Sequence, residues 1–260
     1  MDNHSSVIDE QFTRQAKDFA SAPELHNDDV LSLMVKAGAP QPSDSMIDVA
    51  CGPGSVVAAF APFVQRAVGV DATAAMLAEA NKLIQTKALG NVEFSSGNAY
   101  DLAFPSGSFQ IVVSRFAFHH LEDPRRAFEE MVRIAAPGGR IVLCDAVALD
   151  DSGKAAALNH MERWRDPSTV EFRTLPFLQD LFSRAGLEAP ALTRFQVPFV
   201  AHDFVKRSFP ANDDHAGLLR LIEDSVDGDL LGLDARQDKD GVHIAFQAII
   251  LSAQTSLILH

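Results

Sequence analysis

Short apolar segments alternate with helix-forming segments between residues 43 and 149, and this alternation constrains the fold more than any other feature of the chain. The apolar segments span residues 46–50, 67–70, 92–94, 111–114 and 140–145. Because these strands are apolar at nearly every position, both faces of their sheet must be covered. Strand–helix repetition of this kind predicts an α/β fold whose mostly parallel sheet carries helices on both faces.

The helical segments carry their own start and stop signals. Residues 74–89 are rich in Ala, Leu, Met and Lys, and Gly90 follows as the predicted stop. Asp123 is a predicted N-cap, and Pro124 stands at the first helical position. The next break is predicted at residues 137–139, before the strand at 140–145. Further helices are predicted at 11–20, 56–63, 155–165, 174–184, 202–208 and 216–225, and extended segments at 192–200 and 241–251, the last of which also fits a helix.

Composition excludes several classes of protein. The 260 residues contain 22 Lys and Arg against 35 Asp and Glu, a net charge of −13, and no long basic run. This balance predicts no nucleic-acid partner. No segment approaches the roughly 18 uninterrupted apolar residues that predict a membrane span. Cys51 and Cys144 make no disulfide framework and are predicted to be reduced. We therefore expect a cytoplasmic protein without integral membrane association.

A glycine turn follows the first strand directly. Residues 48–54 read Asp-Val-Ala-Cys-Gly-Pro-Gly, and a predicted helix begins just after them. Gly52 and Gly54 let the backbone approach a ligand closely, and the start of the helix supplies free N–H groups. Asp71 ends the second strand, where an acidic side chain can accept both hydroxyls of a ribose. Strand, turn, helix, strand and acid in this order predict an adenosine-containing ligand. The alternative is that these residues bind no ligand and form only a tight turn with a helix-capping Asp.

Two residues distinguish between the adenosine ligands. A dinucleotide fingerprint needs a third glycine, but Val57 occupies that position, which disfavours an NAD-dependent dehydrogenase. Asp48 precedes the turn and would repel a pyrophosphate. A ligand with a cationic centre and no phosphate fits better, and S-adenosylmethionine has both properties.

The arrangement resembles the class I S-adenosylmethionine-dependent methyltransferases, particularly the ubiquinone/menaquinone C-methyltransferase-like group with its methyltransferase type 11 domain. The resemblance covers most of the chain. It is carried by residues 12–16, 47–54, 69–72, 76–77, 102–105, 114–123 and 137–139. It implies a Rossmann-like, seven-stranded sheet with a reversed terminal hairpin. It also implies one domain over residues 1–260, divided into a helical cap (1–40), a cofactor-binding half (41–150) and a substrate side (151–260).

The resemblance also implies S-adenosyl-L-methionine as cofactor and assigns the residues that hold it. The turn at 52–54 would lie under the methionine moiety, Asp71 would hold the ribose, and Asn98 and Ala99 would flank the adenine. The implied cofactor-binding residues are Arg14, Phe19, Asp48, Ala50, Gly52, Gly54, Asp71, Ala72, Met76, Asn98, Ala99 and Ser114. Three of them depart from the family, which usually has Tyr, Gly and Asp where this chain has Phe19, Ala50 and Asn98. No metal is expected, since the scattered histidines show no ligand spacing.

Residues 114–120 follow the fourth strand, at the edge where open α/β sheets bind ligands. Ser114 is predicted to bind the methionine amino group, and Arg115 to steer an acidic or phenolic substrate. His119 is the predicted catalytic base, although packing within the loop is an equally weighted alternative. For His120 a packing role is favoured.

The predicted substrate-binding residues are Arg115, Phe116, His119 and Trp164. Trp164 is the only tryptophan and either stacks on the acceptor from a lid or packs in an amphipathic helix. Asp145, at the end of the fifth strand, is predicted to be structural. Together these features predict methyl transfer to carbon, nitrogen or oxygen of a small planar, aromatic or heteroaromatic metabolite. The alternatives are a quinone-pathway C-methyltransferase and a catalytically silent, adenosylmethionine-binding regulatory subunit.

Overall fold

A single eight-stranded sheet organises the chain in this computed structural model, which describes residues 3–21 and 27–257. The strands are β1 (Ser45–Val49), β2 (Arg66–Asp71), β3 (Val92–Ser96), β4 (Phe109–Arg115), β5 (Ala135–Ala146), β6 (Ala191–Val200), β7 (Arg236–Asp238) and β8 (Gly241–Gln254). Their order is β3-β2-β1-β4-β5-β8-β6, with β7 paired to β8. The first five strands are parallel, and β8 runs antiparallel to β5, β6 and β7.

Helices cover both faces of the sheet. They are α1 (Asn3–Ser21), α2 (Asp28–Gly38), α3 (Ser55–Phe60), α4 (Ala74–Lys87), α5 (Pro124–Ile134), α6 (Ser152–Arg165), α7 (Leu175–Arg184), α8 (Ala201–Lys206) and α9 (His215–Asp224). Alternate residues of β1 separate the two faces: Met46 packs in a core with α2 and α3, whereas Ile47 packs with α5 and α7. A third apolar cluster joins α6, α8 and α9 to β8. No helix within residues 3–21 and 27–257 is both long and apolar enough to cross a membrane.

The predicted α/β class and mostly parallel sheet are confirmed, but the strand count of seven is wrong by one. The additional strand β7 has only three residues, Arg-Gln-Asp, and all of them are exposed. It forms a hairpin with β8 through the turn between Asp238 and Gly241. Because neither apolar alternation nor β-branched residues mark it, the sequence offered no strand signal at this position.

Two element boundaries also differ from the prediction. Helix α1 begins at Asn3 rather than near residue 11. The Pro137-Gly138-Gly139 segment does not separate a helix from a strand, because β5 already begins at Ala135. Gly138 has a φ of 71°, and the β4–β5 register shifts between Phe109 and Ile111. The segment is therefore an irregularity inside the strand, where a proline is tolerated.

Helix α4 ends on an alanine in the left-handed conformation, not on the predicted Gly90. Ala88 has a φ of 52°, and its N–H bonds back to the carbonyls of Ile84 and Gln85. We expect Ala88→Gly to raise the free energy of unfolding by about 0.5–1 kcal/mol, since relief of the left-handed strain exceeds the entropy that glycine adds to the unfolded chain. The same change at Ala78, an exposed residue inside α4, should lower it by about 1 kcal/mol. Urea unfolding measures the change in the free energy of unfolding for both variants. Changes of the same sign would contradict this explanation of the Ala88 conformation.

Candidate active site

The parallel strands β1, β2 and β4 end at one edge of the sheet, and a cleft of about 330 Å³ opens there against α1. We call it the edge cleft. Helix α1 contributes His4, Ser5, Ile8, Phe12 and Phe19 to its wall. The opposite wall contains the turn after β1, the end of β2 and the segment after β4. Strands that are neighbours in the sheet thus bring distant parts of the sequence together at one edge, as the strand–helix alternation predicted.

The turn after β1 has three residues in the left-handed region. Ala50, Gly52 and Gly54 have φ values of 58°, 51° and 83°. A Cβ at Gly54 would lie 2.9 Å from the Phe94 ring and 3.0 Å from the Ala80 Cβ, so the turn packs tightly from below. A Cβ at Gly52 would meet nothing within 4 Å. Gly54 therefore holds the turn in place, while Gly52 presents open backbone to the cleft.

Asp71 connects this turn to the end of β2. Its Oδ2 accepts the Gly52 N–H at 2.8 Å, and its Oδ1 accepts the Thr73 N–H at 2.9 Å. Burial raises the pKa of Asp71, and the N–H groups of Thr73, Gly52 and Ala72 oppose that rise. Each carboxylate oxygen has a further lone pair. Asp71 therefore presents a preoriented pair of acceptors to the cleft.

Asp48 is a buried acid at the base of the edge cleft, with 1% of its surface exposed. Its Oδ1 has no hydrogen-bond partner among the described residues. Burial raises the pKa of Asp48 well above its usual range, Arg115 opposes the rise, and Asp71 adds to it. An unpaired buried acceptor is costly. A ligand that brings a cationic or N–H donor group would relieve it.

A second cavity, of about 160 Å³, adjoins the edge cleft. We call it the Phe cavity because six rings line it: Phe19, Phe116, Phe172, Phe199, Phe204 and Phe246. Phe19, Phe116 and His120 line both spaces, so the two meet at these three side chains. Phe116 reaches this position with a φ of 51°, a strained value for a bulky residue of the kind found at functional sites.

His119 lines the Phe cavity and is paired with Asp145 of β5. Its Nδ1 lies 2.6 Å from Asp145 Oδ1, and its backbone N–H donates to Asp145 Oδ2 at 3.2 Å. The imidazole stacks on Phe172 with ring centroids 4.4 Å apart. Both residues are buried, His119 with 7% and Asp145 with 1% of the surface exposed. A histidine held in this way has one fixed orientation.

His120 lies at the junction of the two cavities. Its Nδ1 is 3.1 Å from both the carbonyl oxygen and the Oγ of Ser168, and its ring meets Phe12 of α1 edge-on. Burial lowers the pKa of His120 well below its usual range, and the neighbouring His119 lowers it further. His120 is therefore a neutral ring that packs α1 against the site.

A buried ion pair lies at the far side of the Phe cavity. Glu162 of α6 is fully buried, and Arg165 reaches it with Nε at 3.0 Å from both carboxylate oxygens and Nη2 at 2.7 Å from Oε2. Arg165 also lies over the Phe204 ring at 5.0 Å. Burial works against its charge, but Glu162 raises the pKa of Arg165 overall. The pair fixes the end of α6 beside the cavity.

Comparison with known proteins shows that the chain is similar to methyltransferases. A methyltransferase-domain model, Methyltransf_11, matches residues 47–143, which contain the turn, Asp71 and most of the parallel sheet. The uncharacterized methyltransferase YcgJ of Bacillus subtilis (strain 168) is 29% identical over 242 residues, which cover 92% of this chain and 96% of that protein. Its crystal structure matches with a TM-score of 0.80 over 88% of this chain and 99% of that one. The chain has the class I methyltransferase fold, with its methyltransferase domain at residues 47–143.

The names of two more distant relatives state what those proteins act on or bind. The demethylmenaquinone methyltransferase of Lactococcus lactis subsp. lactis (strain IL1403) is 26% identical, over 63% of this methyltransferase and 73% of its own length. The geranyl diphosphate C-methyltransferase of Streptomyces coelicolor A3(2), in complex with Mg²⁺, geranyl diphosphate and S-adenosyl-L-homocysteine, matches with a TM-score of 0.63 and 16% identity over 88% of this chain and 79% of that one. At that identity only the fold is shared.

Most of the predicted cofactor-binding residues of this methyltransferase meet in the edge cleft. Those that line it are Phe19, Asp48, Ala50, Gly52, Asp71, Ala72, Met76, Asn98 and Ala99. Gly54 lies beneath the turn rather than on the cleft surface. Arg14 was predicted to reach the cofactor but is exposed on α1 and stacks on Phe209 at 5.2 Å. Helical spacing explains the difference, because Phe12 and Phe19 share the face toward the cleft and Arg14 does not.

Ser114, predicted to bind the methionine amino group, lies beneath the edge cleft. Its hydroxyl is buried and donates to the Val49 carbonyl at 2.8 Å, so it ties β4 to β1 and lies outside the lining of the edge cleft. Of the predicted substrate residues, Arg115 and Phe116 line the edge cleft, whereas His119 lies in the Phe cavity behind it. Trp164 lines neither space, because Glu162 and Arg165 occupy the inward face of α6.

Sequence reasoning missed most of the Phe cavity and the partner of His119. Phe172, Phe199, Phe204 and Phe246 come from four separate segments of the second half of the chain, and no local motif connects them. The only available signal was composition, since 18 phenylalanines exceed what the parallel strands use. Asp145 was predicted to be structural. Within the described parts of the chain, no cluster of His, Cys, Asp and Glu side chains could hold a metal ion.

Proposed function

We propose that this methyltransferase uses S-adenosyl-L-methionine to methylate a small planar, aromatic or heteroaromatic metabolite. The observation that carries the proposal is the pair of adjoining cavities. The edge cleft is lined by acidic side chains and by the exposed backbone of the glycine turn, whereas the Phe cavity is lined by aromatic rings. The two cavities meet at Phe19, Phe116 and His120. Holding two reactants in adjoining spaces that exclude water can supply most of the rate enhancement of a displacement reaction.

The groups of the edge cleft fit the cofactor's chemistry. Asp71 offers carboxylate acceptors for the ribose hydroxyls, and Asp48 offers a buried, unsatisfied acceptor for the ammonium group of the methionine moiety. Asn98 and Ala99 line the part of the cleft assigned to the adenine. The fold of the Streptomyces coelicolor relative, which holds S-adenosyl-L-homocysteine, is in keeping with this assignment. Bound there, the cofactor supplies an electrophilic methyl group.

The Phe cavity favours a flat, apolar acceptor. Aromatic rings pair in offset or edge-on arrangements, and each such pair contributes about 0.5–1.5 kcal/mol beyond the burial of its area. A volume of about 160 Å³ suits one or two fused rings. A prenylated quinone precursor is the second candidate, favoured by the apolar lining and by the similarity to a demethylmenaquinone methyltransferase. The net charge of −13 counts against it, because an acidic protein is repelled by anionic lipid surfaces.

The proposal is tested with purified protein and methyl-labelled cofactor. We expect calorimetry to show micromolar binding of S-adenosylmethionine and S-adenosylhomocysteine and no measurable binding of NAD. Incubation with a metabolite extract should transfer the label to a small aromatic compound that mass spectrometry identifies. Binding without any labelled product would instead indicate the silent regulatory subunit. A labelled product that requires a long isoprenoid chain would favour the quinone precursor.

A further inference from the structure

Asp145 and His119 form a buried pair at the wall of the Phe cavity, and the geometry of this pair fixes the orientation of the imidazole ring. The geometry points to Asp145 as a positioning residue that fixes His119 as the proton acceptor for an O–H or N–H group on an aromatic acceptor. This inference rests on the proposed function and specifies its acceptor class. It assigns to Asp145 a role in the reaction in place of the structural role that the sequence indicated.

The carboxylate of Asp145 is held by donors on every side. Its Oδ1 accepts the backbone N–H of Ala146 at 2.8 Å and faces His119 Nδ1 at 2.6 Å, and its Oδ2 accepts the backbone N–H of His119 at 3.2 Å. Because two backbone N–H groups already donate to it, the carboxylate acts as an acceptor toward the ring as well. The proton of the neutral imidazole therefore resides on Nδ1, and Nε2 carries the lone pair.

The position of the ring leaves Nε2 as the nitrogen that can meet an acceptor. Stacking on Phe172, with planes 22° apart, prevents the imidazole from turning. His119 lines the Phe cavity, and no residue in the described parts of the chain hydrogen-bonds its Nε2. A carboxylate that fixes the tautomer and orientation of a base is the device that activates histidine in the Ser-His-Asp hydrolases.

The proton and charge balance of the step is complete. A lone pair of the acceptor's oxygen or nitrogen forms a bond to the methyl carbon, and the electrons of the carbon–sulfur bond remain on sulfur. The proton of the acceptor moves to Nε2 of His119. One positive charge thus leaves the sulfonium and one appears on the imidazolium, where the Asp145 carboxylate stabilises it. General bases of this kind contribute about 10²–10⁴-fold to a rate.

A coloured hydroxyarene tests the inference without turnover. We use 4-nitrophenol, whose anion absorbs at longer wavelength than its neutral form, at a pH where the free compound is mostly neutral and with S-adenosylhomocysteine present. The wild-type protein should bind the probe and produce the anion band. His119→Asn, which keeps a donor for Asp145 but removes the base, should bind the probe without that band. Asp145→Asn should lower the ratio of anion to neutral probe by about 10- to 150-fold, the range for a hydrogen bond to a charged group.

His202→Asn is the matched control, because His202 also faces a carboxylate through Nδ1, that of Asp203, but is exposed and lines neither cavity. It should leave the anion band unchanged. An undiminished band in His119→Asn or Asp145→Asn would overturn the inference, and so would failure of the wild type to bind the probe. Calorimetry with S-adenosylhomocysteine reports separately on the proposed function, so loss of cofactor binding and loss of the anion band are distinct results.

Nitrogen-15 spectra of histidine-labelled wild-type protein provide a second measurement that does not depend on the folding of any variant. The His119 signals should show the proton on Nδ1 and an unprotonated Nε2. A spectrum with the proton on Nε2 would overturn the inference, because no proton acceptor would then face the cavity.

Discussion

Replacing Glu162 by alanine is expected to lower the free energy of unfolding by about 3–5 kcal/mol, because it leaves the buried Arg165 guanidinium without its counter-charge. Glu162 is fully buried and Arg165 is only 15% exposed at its side chain, so water cannot replace the lost carboxylate. Urea unfolding followed by the fluorescence of Trp164, on the same helix, measures the effect. The m-value should stay constant if only the stability has changed.

Two further variants show whether the unpaired charge of Arg165 causes the loss of stability in Glu162→Ala. The double change Glu162→Leu with Arg165→Met removes both charges and should recover most of the lost stability, since a buried ion pair is often replaceable by apolar residues of similar size. Glu93→Ala breaks an exposed pair with Arg66, which solvent screens, and should cost about 0.2–1 kcal/mol at most. A double variant as unstable as Glu162→Ala would show that packing of α6, not charge, causes the loss.

The parallel half of the sheet was predictable because its signals are local. Strands β1, β2 and β4 are mostly apolar in their central positions, and the turn after β1 contains the glycines that end the strand before a helix. Asp123 is an N-cap whose side chain accepts from the Arg126 N–H, as its position before Pro124 predicted. The short strand β7 was not predictable, because its polar residues gain their structure only from pairing with β8.

The edge cleft was predictable for the same reason, and the Phe cavity was not. Asp48, Gly52 and Asp71 lie within one strand–turn–helix–strand unit whose geometry fixes their relative positions. The rings of the Phe cavity come from segments that only the tertiary fold brings together. The sequence predicted a loop after β4 that carries His119, but the 2.6 Å contact to Asp145 depends on the β4–β5 register, which no local pattern encodes. The direction of the Ser114 hydroxyl, which donates to the Val49 carbonyl, likewise depends on the neighbouring strand.

Replacing Asp71 by alanine is expected to weaken the binding of S-adenosylhomocysteine by about 10- to 150-fold, because hydrogen bonds to a charged group contribute roughly 1.5–3 kcal/mol. The carboxylate also accepts the Gly52 and Thr73 N–H groups, so the change disturbs the turn as well as the predicted ribose contact. Calorimetry with 2′-deoxy and unmodified S-adenosylhomocysteine separates the two effects. The wild type should discriminate between these ligands, whereas Asp71→Ala should bind both equally weakly.

Glu122→Ala is the matched control for charge. Glu122 also lines the edge cleft but is exposed at its mouth, so its removal should change the affinity by less than about threefold, within the range for a screened surface charge. If Glu122→Ala weakens binding as much as Asp71→Ala, the cleft attracts the ligand through its overall negative charge. If Asp71→Ala loses affinity but still discriminates between the two ligands, Asp71 supports the turn through Gly52 and does not contact the ribose. The expected pattern, a large loss together with lost discrimination, arises only when the carboxylate touches the hydroxyl itself.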